Sequence, residues 1–121
     1  MKRRQPKAFE IVSEIGLTLP GVAAVTRYDG SPVLKVDGVF MAGLATHPSA
    51  EPNTLVVMMD FPDRDALIED APGTYYLKDH YLNYPCILVR LSRVHPDALR
   101  DLVIGAHRFV GAKASQKRRS T

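Results

Sequence analysis

At 121 residues, with 45% hydrophobic and 24% charged side chains, the chain has the size and composition of one globular domain with a single core. No apolar stretch reaches the roughly 18 residues that cross a bilayer, and Glu10, Ser13 and Glu14 break up the segment after the basic start Lys2-Arg3-Arg4, so neither a membrane partner nor a secretory signal is expected. The net charge of +3 is unevenly spread. Residues 1–7 and 113–121 hold eight of the sixteen basic groups, while 8–112 sets eight basic against thirteen acidic side chains, a formal charge of −5 that repels a polyanion unless its cations share one face.

In chain order, residues 6–19 predict an amphipathic helix, with Phe9, Val12, Ile15 and Leu19 on one side, Pro6 in the first turn and Pro20-Gly21 as the stop. Strands follow at Val25–Tyr28 and Val33–Val36 around the turn-forming Asp29-Gly30-Ser31-Pro32. Asp37-Gly38 signals a two-residue hairpin into Val39–Leu44. His47–Asn53, with two prolines, reads as a loop, and Thr54–Asp60 as a further strand. Pro62-Asp63-Arg64-Asp65 opens a short helix to Ala71, which Pro72-Gly73 ends. Thr74–Leu77 has the makings of a short strand, and Ile87–Val94 is the strongest one, with Val89 and Leu91 on one face and Arg90 and Ser92 on the other. A last helix runs from His95-Pro96-Asp97 to about Val110, with Leu99, Leu102, Val103, Ala106 and Phe109 as its apolar stripe. The expected organisation is a basic tail (1–7), one folded body (8–112) and a basic, disordered tail (113–121). Short connections between strands imply antiparallel pairing, so the fold class is α+β: a sheet of five or six strands with the terminal helices on one face.

Several stretches in this order resemble the small MmcQ/YjbR-like proteins. They are Leu17-Thr18-Leu19-Pro20-Gly21-Val22, the run Gly30-Ser31-Pro32-Val33-Leu34-Lys35-Val36-Asp37-Gly38-Val39-Phe40, the segment His80-Tyr81-Leu82-Asn83-Tyr84-Pro85, the strand Ile87-Leu88-Val89-Arg90-Leu91, and the helix start Pro96-Asp97-Ala98-Leu99-Arg100-Asp101-Leu102. The resemblance spans about Phe9 to Val110. It implies a curved antiparallel sheet of the kind called CyaY-like or secretion-chaperone-like, and a DNA-binding role tied to a double-wing arrangement of strands. It supplies no catalytic residues. Members often carry an aromatic where this chain has Cys86, and another near Leu34.

Four of the five tyrosines lie between residues 75 and 84. Tyr75, Tyr76, Tyr81 and Tyr84 offer stacking surfaces for bases, with Lys78, Arg90 and Arg93 to meet phosphates; equally, they form a packed corner that leaves only hydroxyls at the edge. Lys35 and Arg90 should emerge on the sheet face away from the helices. There they form a small anion site if their strands are neighbours, or else a solvated face, or pairs with Asp37 or Asp60. His47, His80, His95 and His107 lack metal-site spacing, and no cofactor or metal is expected. His80, beside Asp79 and among the tyrosines, is the candidate proton carrier, whereas His95 and His107 read as structural. The lone Cys86 permits no intramolecular disulfide, which fits a reducing cytoplasm, and reads as a buried apolar residue rather than a nucleophile. The reading is a small non-enzymatic binding protein with DNA as its expected partner. The alternative is a module that grips a small anion or a protein through the Tyr75–Arg90 surface.

Overall fold

A computed structural model describes the backbone of residues 7–119 and the side chains of 9–113; the N-terminal basic tail, apart from Lys7, lies outside the described residues. The chain runs α1 (Lys7–Leu17), β1 (Val22–Thr26), β2 (Pro32–Val36), β3 (Val39–Leu44), β4 (Thr54–Met58), α2 (Phe61–Asp70), β5 (Tyr75–Tyr76), a 3₁₀ turn (Asp79–Tyr81), β6 (Cys86–Arg90) and α3 (Pro96–Arg119). All six strands join one antiparallel sheet in the order β1-β2-β3-β4-β6-β5, so the α+β expectation holds.

Local chemistry sets the corners. Asp37 (φ 50°) and Gly38 (φ 82°) take the two left-handed positions of the β2–β3 hairpin, where glycine and short polar residues are tolerated. Asp60 accepts the Phe61 N–H at 2.9 Å, and proline sits in the first turn of α2. Opposite Leu34 and Lys35 the register slips by one residue, a bulge at Met41.

One sheet face carries the main core. Leu34, Val36, Leu55, Val57, Ile87 and Val89 meet Phe9 and Val12 of α1 and Leu99, Leu102, Val103 and Ala106 of α3, with α2 joining through Leu67 and Ile68. Among the described residues the other face is not bare. Val56, Cys86, Leu88 and Tyr76 form a second, smaller cluster with Tyr81, roofed by Phe40, Ala45, Ala50 and Leu77. Strands β4 and β6 are therefore buried on both sides, which is why Leu-Val-Val and Cys-Ile-Leu-Val are unbroken apolar runs.

Three expectations change. The strand expected over Ile87–Val94 spans Cys86–Arg90, because the backbone turns at 91–93, with the Arg93 and Val94 N–H groups both donating to Arg90 O. The first strand begins at Val22 rather than Val25. The last helix does not stop near Val110 but continues to Arg119, through the stretch expected to be disordered. Ala112-Lys113-Ala114 and Gln116-Lys117-Arg118 are strong helix formers with no proline among them, and propensity carries the backbone on after the apolar stripe has ended.

Candidate functional site

The tyrosine segment divides between the two faces. Consecutive residues of a strand point to opposite sides. Tyr75 accordingly joins the helix-side core, while Tyr76 enters the outer cluster. The Tyr76 hydroxyl accepts the Glu51 N–H at 2.8 Å and bonds the buried Thr54 hydroxyl, so this ring is a packed corner rather than a stacking platform. After β5 the chain makes its 3₁₀ turn, held by Tyr81 N–H to Lys78 O at 2.8 Å, and folds back over the outer face.

That return is clamped by Arg64, a residue no sequence motif singles out. Its side chain is buried beneath the turn. Nη1 donates to Leu82 O at 2.9 Å and Tyr84 O at 3.3 Å, Nε reaches Asp65 at 2.9 Å, and the guanidinium lies 4.7 Å from the Phe61 ring centroid. The available signal was its position in α2: Arg64, Leu67 and Ile68 share one helical face, so the arginine takes a core position.

Between this turn and the loop after β3 lies a groove of about 560 Å³, within the range of small-molecule sites. The imidazoles of His47 and His80 stack at its mouth, centroids 3.7 Å apart and planes 14° from parallel. Tyr81 meets both edge-on, at 6.1 and 4.8 Å, and the exposed Tyr84 ring tilts 6.3 Å from His80. Ser49 donates its hydroxyl (2.7 Å) and backbone N–H (3.1 Å) to His47 Nδ1, which places the proton of the neutral ring on Nε2. Burial raises the Tyr81 phenol above its ordinary range, and a hydrogen bond from the His47 backbone partly offsets this. Across the groove, Arg27 donates Nη1 to Ser31 Oγ (3.0 Å) and Leu44 O (2.9 Å) and sits 5.8 Å from the Phe40 ring centroid. Arg27 brings the groove its positive charge, and no carboxylate lines it. At its base, burial pushes the Cys86 thiol up to about 11, with Arg64 pulling the other way, so the sulfur is no nucleophile at neutral pH.

The remaining sequence candidates lie elsewhere. Arg90 binds Glu51 with both edges of its fork (3.0 and 2.7 Å), gives Nη1 to Pro72 O and Gly73 O (3.1 and 3.2 Å), and covers Tyr76 at 4.2 Å. Its partner is thus Glu51, neither Asp37 nor Asp60. Lys78 and Arg93 are exposed and lie close enough for their charges to act on Glu51, whose carboxyl Arg90 chiefly holds below the ordinary range. Lys35 is on β2, three strand positions from β6, so the condition for a Lys35–Arg90 anion site, neighbouring strands, is not met. Neighbouring strands are about 4.8 Å apart, which separates the two backbones by roughly 14 Å. His107 bonds Pro20 O at 2.8 Å, and His95 Nδ1 accepts the Asp97 N–H at 3.1 Å; both do structural work.

Three relatives share part of this chain: uncharacterized proteins from two strains of Mycobacterium tuberculosis and from Mycobacterium bovis. Each is 31% identical over 75 residues, a match that covers 62% of this chain and 58% of the relative. No family model matches the chain, and no solved structure matches it. Among the described residues, no helix is long and apolar enough to cross a membrane.

Proposed function

We propose that the chain is a non-enzymatic binding module whose site is the outer-face groove, and that its ligand is a small planar molecule bearing an anionic group. One observation carries this: the groove lines stacked imidazoles and tyrosines with Arg27 and with no acid, in a body whose formal charge is negative. A flat ring extends the His47–His80 stack, and the anion meets the guanidinium. Membership of the MmcQ/YjbR-like group and a cytoplasmic setting belong to the same proposal. The helix–meander–helix–strand–helix order supports the first, and the unpaired, buried Cys86 supports the second.

DNA is the second reading. It draws on Lys78, Arg90 and Arg93 gathered around Glu51, and on the helical backbone through the basic C-terminal stretch. One set of titrations separates the two. Adenosine monophosphate, added to ¹⁵N-labelled protein, should shift amides around His47, His80 and Tyr84 saturably, and adenosine should bind more weakly. Arg27→Gln should cost about tenfold in affinity for the nucleotide, the worth of one charge-assisted hydrogen bond. If the nucleotide leaves the groove untouched, the proposal fails. If labelled DNA binds with a steep salt dependence that survives replacement of Lys113, Lys117, Arg118 and Arg119 by glutamine, the DNA reading takes its place.

A further inference from the structure

On the opposite side of the sheet, α2 and α3 part over β5 and leave a second hollow of about 320 Å³. Met59, Leu67, Tyr75, Leu102 and Phe109 give it an apolar lining. Asp60, Asp63 and Asp101 also line it, and among the described residues no basic side chain does. Asp60 caps α2, whereas Asp63 and Asp101 have no hydrogen-bond or ion-pair partner among the described residues. The informative group is Tyr75. The residue is only 6% exposed and lines the hollow, and its hydroxyl meets no hydrogen-bond partner among the described residues. Its neighbour Tyr76, equally buried, satisfies its hydroxyl within the protein. No buried side-chain oxygen or nitrogen among the described residues lacks a partner, so this hydroxyl keeps its opening to solvent through the hollow, and a ligand seated there would have to meet it.

We propose that this hollow binds a small organic cation: a primary ammonium on an apolar body. A hydrocarbon would leave the Tyr75 hydroxyl unmet, an organic anion would face three carboxylates, and the described side chains form no cluster that could hold a metal ion. A primary ammonium brings three N–H donors, which suit the lone pairs of the phenol and of the Asp63 and Asp101 carboxylates, while its carbon body covers the apolar lining. Phe109 already accepts such a charge. The Lys113 ammonium nitrogen lies 4.5 Å from its ring centroid. This site stands on residues separate from those of the aromatic groove.

The test is a ¹⁵N NMR titration of the full chain with phenethylammonium, alongside its neutral counterpart 2-phenylethanol and the anion 3-phenylpropionate. Phenethylammonium should shift the amides of Met59, Tyr75, Leu102 and Gly105 saturably, the alcohol should bind about tenfold or more weakly, and the carboxylate should not bind. Tyr75→Phe keeps the ring and Asp101→Asn alters an exposed side chain; each should weaken the ammonium roughly five- to tenfold. A Cβ at Gly105, which lines the hollow, would have open space around it, so Gly105→Leu should project into the hollow and abolish binding without lowering the melting temperature. The proposal is overturned if the alcohol binds as well as the ammonium, if no saturable shift appears at these residues, or if Gly105→Leu binds like the parent protein.

Discussion

Cys86 is the residue where pH should act most visibly on stability. Its thiol is shifted from 9.0 to about 11 because it is buried. Below the unfolded value both states keep the proton, and nothing changes. As pH climbs through the window between the two values, the unfolded chain ionises first and stability is lost. The loss should reach roughly 1 kcal/mol between about pH 8 and pH 10. Urea melts of the parent and Cys86→Ala at the two pH values isolate it, since the raised phenols of Tyr75 and Tyr81 are common to both proteins. An equal slope in both would remove Cys86 as the cause. Arg90 makes the opposite prediction, at acid pH. Arg90→Lys keeps the charge but loses the fork that binds Glu51 and two carbonyls, so the melting temperature should fall by a few degrees. Glu51 is held below its ordinary 4.5 chiefly by Arg90, so that advantage should be present above this value and fade as pH falls through the lowered one. Both residues show what a sequence reveals at this scale. A small apolar residue opening a strand already said that Cys86 was buried. Arg90, 39 positions from Glu51, gave no hint of its partner, because only the antiparallel pairing of Thr54 with Arg90 brings the preceding loop within reach.

Two glycines in helices make the contrast at the level of elements. A Cβ on Gly16 would lie 2.5 Å from Leu34 Cδ1, a fully buried side chain without room to swing away. This glycine lets α1 lie close on β2. Gly105 faces open space. Alanine lowers the helical cost of glycine by about 0.5–1 kcal/mol at either site, so Gly105→Ala should stabilise by about that amount. Gly16→Ala should destabilise by about 1–2 kcal/mol, because overpacking outweighs propensity. Thermal melts of the two variants in opposite directions would bear this out. Elements were largely legible from periodicity and turn chemistry: α1, the Asp37-Gly38 hairpin, β4 and the α3 stripe stand where alternation and spacing put them, and β6 overlaps only the first half of the strand expected over Ile87–Val94. Two things were not. The end of α3 lies where propensity without burial decides the outcome. The place of β5 beyond β6 depends on long-range pairing that leaves no mark in a two-residue strand.

For the molecule as a whole, the charge count becomes a spatial statement. Among the described residues, the sheet separates an aromatic groove with Arg27 and no carboxylate from a hollow with three aspartates and no base. The body's formal charge of −5 conceals that polarity, which is why composition pointed to a repelled polyanion and not to two concavities of opposite charge. Each tyrosine of β5 belongs to one side. The strand's backbone pairs with β6, which enters between β4 and β5. The first four strands can pair in the order in which they are synthesised, whereas β5 must wait for a partner that follows it in the chain. Residues 86–90 therefore act as a keystone of assembly: until they arrive, Tyr75 and Tyr76 have no strand to lie against, and α3, which walls the helix-side hollow, has yet to be made. Long-range pairing of this kind is the slow part of folding. Both cavities have walls that are complete only once these late elements are in place.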